Sequence, residues 1–78
     1  HILGIPKVKW VDFSDFISSY HKDVVANFFQ KVDAVIEKLG IKESGYRIIS
    51  NSGVDGGQEV PHFHIHILGG EKIGSKIR

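Results

Sequence analysis

The stretch His62-Phe63-His64-Ile65-His66-Ile67-Leu68 decides how this chain is read. Val60 and Pro61 lead into it, and Gly69-Gly70 close it. Alternation with period two, β-branched residues and terminal glycines predict a β-strand. On a strand, positions i, i+2 and i+4 share a face, so His62, His64 and His66 form a ladder with about 6.5–7 Å between successive side chains. Phe63, Ile65 and Ile67 point the opposite way, towards a core.

A catalytic role for this ladder has two competitors. A solvated face could carry histidines by chance, but only 5 of the 78 residues are His, which makes three at alternate positions improbable. A zinc site is the stronger competitor, because imidazole is a common zinc ligand and neighbouring strand positions can share one ion. The chain has no Cys, however, and no carboxylate recurs on the histidine face. Glu59 has the opposite strand parity, and Asp55 reads as a turn residue.

The segment before the ladder points towards phosphate chemistry. Asn51-Ser52-Gly53-Val54-Asp55-Gly56-Gly57-Gln58 is polar and glycine-rich, between the apolar runs Tyr46–Ser50 and Val60–Leu68. Structurally it is a hairpin loop whose glycines supply positive φ. Such a backbone can also approach a ligand closely and aim N–H groups at phosphate oxygens. Anion binding beside a potential nucleophile and proton donor is the minimum requirement for nucleotidyl transfer.

The segment Gly57-Gln58-Glu59-Val60-Pro61-His62-Phe63-His64-Ile65-His66-Ile67-Leu68-Gly69-Gly70 closely resembles the signature of the histidine triad (HIT) superfamily, His-φ-His-φ-His-φ-φ with φ hydrophobic. The Gly-Gly-Gln-Glu-Val lead-in and Leu-Gly-Gly exit look like the Hint branch of bacterial purine nucleoside phosphoramidases. Tyr46 to Asn51 is similar to the strand that ends in the family's phosphate-site asparagine. His1-Ile2-Leu3-Gly4-Ile5-Pro6-Lys7 is similar to the family's His-φ-Leu-φ-Ile-Pro-Lys strand. Family members carry roughly a third more chain ahead of this strand, so residues 1–78 are expected to be the C-terminal two-thirds of one HIT-like domain.

The resemblance implies an α+β half-barrel with an antiparallel sheet, and hydrolysis of adenosine phosphoramidates or acyl-adenylates through a covalent nucleotidyl-histidine. It assigns His64 as nucleophile. His66 is expected to contact the phosphoryl oxygens and help to protonate the leaving amine, and His62 to support the geometry of His64. Asn51, Gly57 and the backbone around Glu59 and Val60 are expected to bind the phosphate with His64 and His66. His1 aligns with a fourth, supporting histidine. The expected substrate is a purine nucleotide and the expected assembly a homodimer pairing its long helix and a sheet edge. The expected location is the cytoplasm, and no metal is required, although zinc binding is possible. Glu59 departs from relatives that carry serine there; its carboxylate should turn outward, leaving its N–H for the phosphate. The alternatives are a dinucleoside polyphosphate hydrolase, whose glutamine Gln58 could imitate, and a non-enzymatic nucleotide- or zinc-binding module.

The composition is compatible with this. Net charge is +1 with Lys and Arg scattered, so no basic patch argues for nucleic acid or an anionic membrane. No apolar run approaches the length of a membrane span, and no disulfide framework is available without Cys. At 78 residues, the core is marginal by itself.

Periodicity places the remaining elements. His1–Pro6 reads as a strand stopped by proline. Within Val11–Ser19, Asp12 and Ser14 are candidate N-caps of a brief helical turn. From Tyr20 to Leu39, Val25, Phe28, Phe29, Val32, Val35, Ile36 and Leu39 recur at three- and four-residue steps, an amphipathic helix stopped by Gly40. Tyr46–Ser50 and Pro61–Leu68 then pair as an antiparallel hairpin against which this helix lies. His21 reads as an exposed polar residue at the helix start, and Lys7 and Trp10 carry no assigned role. Ile73–Arg78 is too short to assign.

Overall fold

The computed structural model describes residues 1–18 and 22–71. Its elements are β1 (Ile2–Gly4), α1 (Phe13–Ile17), α2 (Lys22–Lys38), β2 (Tyr46–Ile49) and β3 (Ile65–Gly69). The strands form one antiparallel sheet in the order β1-β3-β2, which puts the histidine-bearing strand in the centre.

α1 begins where the sequence offers a cap. The Asp12 side chain accepts the Asp15 N–H at 2.9 Å, satisfying an otherwise unpaired first-turn donor. α2 ends at Lys38, and Gly40 follows with φ of 72°, a left-handed turn that a side chain would disfavour. The expected helix start at Tyr20, with His21, lies outside the described residues, as does Ile73–Arg78.

The amphipathic stripe of α2 closes on the sheet. Phe16, Val32, Ile36, Ile41, Phe63, Ile65 and Ile67 form the buried core, with Trp10, Val25, Phe28 and Phe29 packed against it. Phe16 stacks on Phe63, with ring centroids 4.7 Å apart and planes 15° off parallel. Gly4 allows the close approach of β1: a Cβ there would stand 3.0 Å from Ile65 Cγ1 and 3.8 Å from Phe28 Cζ.

The stripe is wider than the surface it covers. Val35 and Leu39 remain 38% and 47% exposed, and on the β2 edge Tyr46 and Ile48 remain 41% and 43% exposed. Among the described residues, no helix is long and apolar enough to cross a membrane.

Two strands are shorter than expected by several residues, and β2 by one, ending at Ile49 rather than Ser50. β1 spans Ile2–Gly4 rather than His1–Pro6, and ladder pairing of β3 begins at Ile65 rather than Pro61. The register explains both. Gly4 pairs with Ile65, so the next partners would fall at Ile5 and Pro6, and proline has no N–H to donate. On the other side, β2 pairs Ile49 with His66 and then departs into the glycine-rich loop. Residues 62–64 are anchored elsewhere: Phe63 N–H donates to the Trp10 carbonyl at 2.6 Å, and Ser50 Oγ donates to the His64 carbonyl at 3.4 Å. The alternation nevertheless survives without the ladder. Phe63, Ile65 and Ile67 are 1%, 1% and 2% exposed, while His62, His64 and His66 are half-buried between them.

Candidate active site

The central strand delivers its histidines to the face opposite the core. Across the sheet, Leu3 and Ile49 are both register partners of His66, so all three project on this side. His64 and His66 meet edge to face, with centroids 5.1 Å apart and planes 84° from parallel.

Each ring has a different environment. His64 Nδ1 lies 2.8 Å from the His62 carbonyl oxygen. A carbonyl can only accept, so this nitrogen carries a proton; in the neutral ring, Nε2 then bears the free lone pair. His66 Nδ1 lies 2.8 Å from His1 Nε2, a contact in which one imidazole donates and the other accepts. His62 Nε2 is buried and has no hydrogen-bond partner among the described residues.

Two cavities share this face. A polar one of about 330 Å³ is lined by Asn51, Gly57, Gln58, Glu59, Val60, His64 and His66. An apolar one of about 280 Å³ is lined by Leu3, Ile5, Val60, His62, His64 and His66. Val60, His64 and His66 belong to both, so a ligand spanning the cavities would lie across the two rings. The polar cavity depends on a turn at Gly57, where φ is 74° and a side chain would strain the backbone. Glu59 is exposed and makes no hydrogen bond or ion pair among the described residues.

The eight residues assigned to the site by resemblance therefore fall on one surface: His62, His64, His66 and His1 as a cluster, and Asn51, Gly57, Glu59 and Val60 around the polar cavity. The structure adds Leu3, Ile5 and the side-chain bonds of Gln58. Leu3 and Ile5 follow His1 at alternate positions, so the period-two rule applied to β1 is the signal that could have placed them beside it. Among the described residues, no group of three His, Cys, Asp or Glu side chains is arranged to hold a metal ion.

Residues 1–73 match the pattern of the HIT domain. The chain belongs to the HIT family. It is 42% identical over 73 residues to a HIT-like protein of Rickettsia prowazekii, covering 94% of this chain and 61% of that protein. It is 39% identical over 74 residues to a purine nucleoside phosphoramidase of Escherichia coli K12, covering 95% of this chain and 61% of the enzyme. The fold superimposes on a histidine triad protein from Clostridium difficile with a TM-score of 0.82 at 35% identity, covering 96% of this chain and 64% of that one. A HIT family hydrolase from Clostridium thermocellum gives a TM-score of 0.81 at 39% identity, covering 97% and 65%. The HIT chain thus spans somewhat under two-thirds of the length of these relatives.

Proposed function

We propose that this HIT domain belongs to a nucleotide hydrolase of the Hint type, which cleaves purine nucleoside phosphoramidates or acyl-adenylates through a nucleotide carried on His64. The observation that carries the reading is the 2.8 Å bond from His64 Nδ1 to the His62 carbonyl. It holds one ring proton away from the cavities and leaves Nε2 as the nucleophilic atom.

In the first step, His64 Nε2 attacks phosphorus and a new N–P bond forms. The bond from phosphorus to the leaving nitrogen or acyl oxygen breaks, and its electron pair goes to the leaving atom. An amine departs poorly as an anion, so His66 supplies a proton to it. With His66 Nδ1–H donating to His1 Nε2, His66 acts as an imidazolium that carries its second proton on Nε2, and giving that proton to the leaving nitrogen leaves a neutral imidazole. Asn51 and the N–H groups around Gly57, Glu59 and Val60 balance the charge that builds on the phosphoryl oxygens. In the second step, water attacks phosphorus, the His64–P bond breaks and its electron pair returns to Nε2. His66 now takes the water's proton, restoring the starting state. The apolar cavity beside Leu3 and Ile5 suits the flat face of a purine ring.

The Gln58 carboxamide weighs against the dinucleoside polyphosphate alternative. Both its N–H bonds are directed at protein carbonyls, which leaves no side-chain donor for an additional phosphate.

The decisive assay compares turnover of a fluorogenic adenosine phosphoramidate and a diadenosine polyphosphate by the intact protein, with and without a chelator. Faster, chelator-insensitive cleavage of the phosphoramidate, with an adenylyl adduct mapped to His64, is the expected result. Faster cleavage of the dinucleotide would favour the other hydrolase class. Tight zinc binding without turnover of either substrate would favour a binding module.

A further inference from the structure

From residue 52 to residue 60, every side chain is exposed except that of Gln58. Its Nε2 donates to the Val11 carbonyl at 2.6 Å and to the Val60 carbonyl at 3.1 Å, and its Oε1 accepts the Gly53 N–H at 3.1 Å. Its backbone N–H donates to the Gly53 carbonyl at 3.0 Å. The side chain therefore closes the glycine-rich loop on itself and also ties it to a segment 47 positions away.

That segment holds the histidines too. The Trp10 carbonyl accepts the Phe63 N–H, between His62 and His64, while the neighbouring Val11 carbonyl accepts Gln58. Two consecutive carbonyls thus support the nucleophile's strand and the phosphate loop. The support is itself fixed: Val11 N–H donates to Asp15 Oδ2 at 2.8 Å, at the start of α1, and α1 is anchored by Phe16, which is 0% exposed.

We infer that Gln58 is a positioning residue: by binding the Val11 carbonyl, it sets where the N–H donors around Gly57 to Val60 stand relative to Nε2 of His64. The inference rests on the nucleotidyl-histidine reading above. A loop with glycines at 53, 56 and 57 has many accessible conformations. Donors stabilise a transition state only if they are already aimed at the developing charge. Gln58 lines the polar cavity but spends both side-chain N–H bonds on protein carbonyls, so it acts by selecting one loop conformation.

The test is steady-state kinetics of Gln58→Glu, Gln58→Met and Asp15→Ala in the intact protein, with an adenosine phosphoramidate as substrate. Amide hydrogen exchange at Gly53 and Phe63 is measured in parallel without substrate. The Gln58 variants are expected to lose about 10–100-fold in kcat, with KM within about threefold. Exchange at Gly53 should accelerate in Gln58→Met, which lacks the acceptor that Gln58→Glu keeps, while Phe63 stays protected by Trp10 in both. Asp15→Ala, remote from both cavities, should lower kcat in the same way but less. It carries the test alone if the Gln58 variants do not fold. A raised KM at wild-type kcat would mean that Gln58 contacts phosphate directly and would overturn the inference, as would unchanged kcat in both sets of variants. Absence of turnover by the wild-type protein would instead overturn the functional reading, and this inference with it.

Discussion

His1 Nε2 stands 2.8 Å from His66 Nδ1, with the two rings tilted 49° and their centroids 4.9 Å apart. The contact joins the first residue of the described chain to the central strand. It also makes the position of the His66 proton depend on a neighbour that the three-histidine motif does not contain. Replacing His1 by Ala should therefore slow reactions with poor leaving groups most. A loss of about 10–100-fold on a simple alkylamine, and much less on an acidic leaving group, is the expected pattern. Rates measured against leaving-group pKa check it; equal losses across the series would remove His1 from the proton path.

His64→Ala should abolish turnover, because Nε2 is the bond-forming atom in the proposed reaction. Nucleotide affinity should stay within about tenfold, since the polar cavity has other donors. Calorimetric titration with a nucleoside monophosphate, beside the turnover assay, separates the two. A variant with wild-type turnover would end the covalent mechanism.

Glu59 carries a carboxylate at the rim of the polar cavity, exposed to solvent. Its repulsion of a phosphate-bearing substrate is partly screened. Glu59→Gln should lower KM by about two- to threefold in dilute buffer, and the difference should shrink as ionic strength shortens the range of the field. A KM ratio independent of salt would show that the carboxylate acts by direct contact instead.

Phe16→Ala removes a fully buried ring that stacks on Phe63 and meets Trp10 edge-on at 4.9 Å. The expected cost is about 3–5 kcal/mol. That is a large part of the roughly 4–12 kcal/mol available to a domain this size. Urea unfolding followed by tryptophan fluorescence would register it, and a loss below about 1 kcal/mol would mean that neighbouring side chains refill the space.

The intact protein is expected to be a homodimer formed through α2 and the β2 edge, where Val35, Leu39, Tyr46 and Ile48 remain more than a third exposed. An open strand edge beside apolar side chains invites association. Light scattering should give twice the chain mass, and Leu39→Lys should reduce it to one. A stable monomer is not expected, because a core of this size is marginal by itself. A monodisperse monomer with cooperative unfolding would refute that part.

The elements most visible in the sequence are those whose periodicity involves burial. The Phe63-Ile65-Ile67 alternation reaches the core as its spacing implies, and so does the α2 stripe except at Val35 and Leu39, which stay exposed. The Asp12 cap is legible because its chemistry is local. Strand ends are not, because they depend on what lies opposite: β3 pairing stops where its neighbours reach Pro6 and the glycine loop, facts of register rather than composition. The clustering of His1 with His66, 65 positions apart, can be anticipated only by resemblance. Gln58 is similar in position to the glutamine of dinucleoside polyphosphate hydrolases, whereas its partners are set by the tertiary approach of the Trp10–Val11 segment, for which no local signal exists.

The core rings and the reactive rings occupy adjacent positions on a single strand, and this constrains how the protein can change. Substitutions at residues 62 to 68 can be tested singly, but length changes cannot. Inserting or deleting one residue there would carry Phe63 or Ile65 into the cavities and an imidazole into the apolar interior. Foldedness and reactivity would fail together. Gradual evolution of this segment is therefore confined to exchanges at constant length, while insertions are accommodated beyond its ends, such as at the loop tip around Val54, which is 94% exposed.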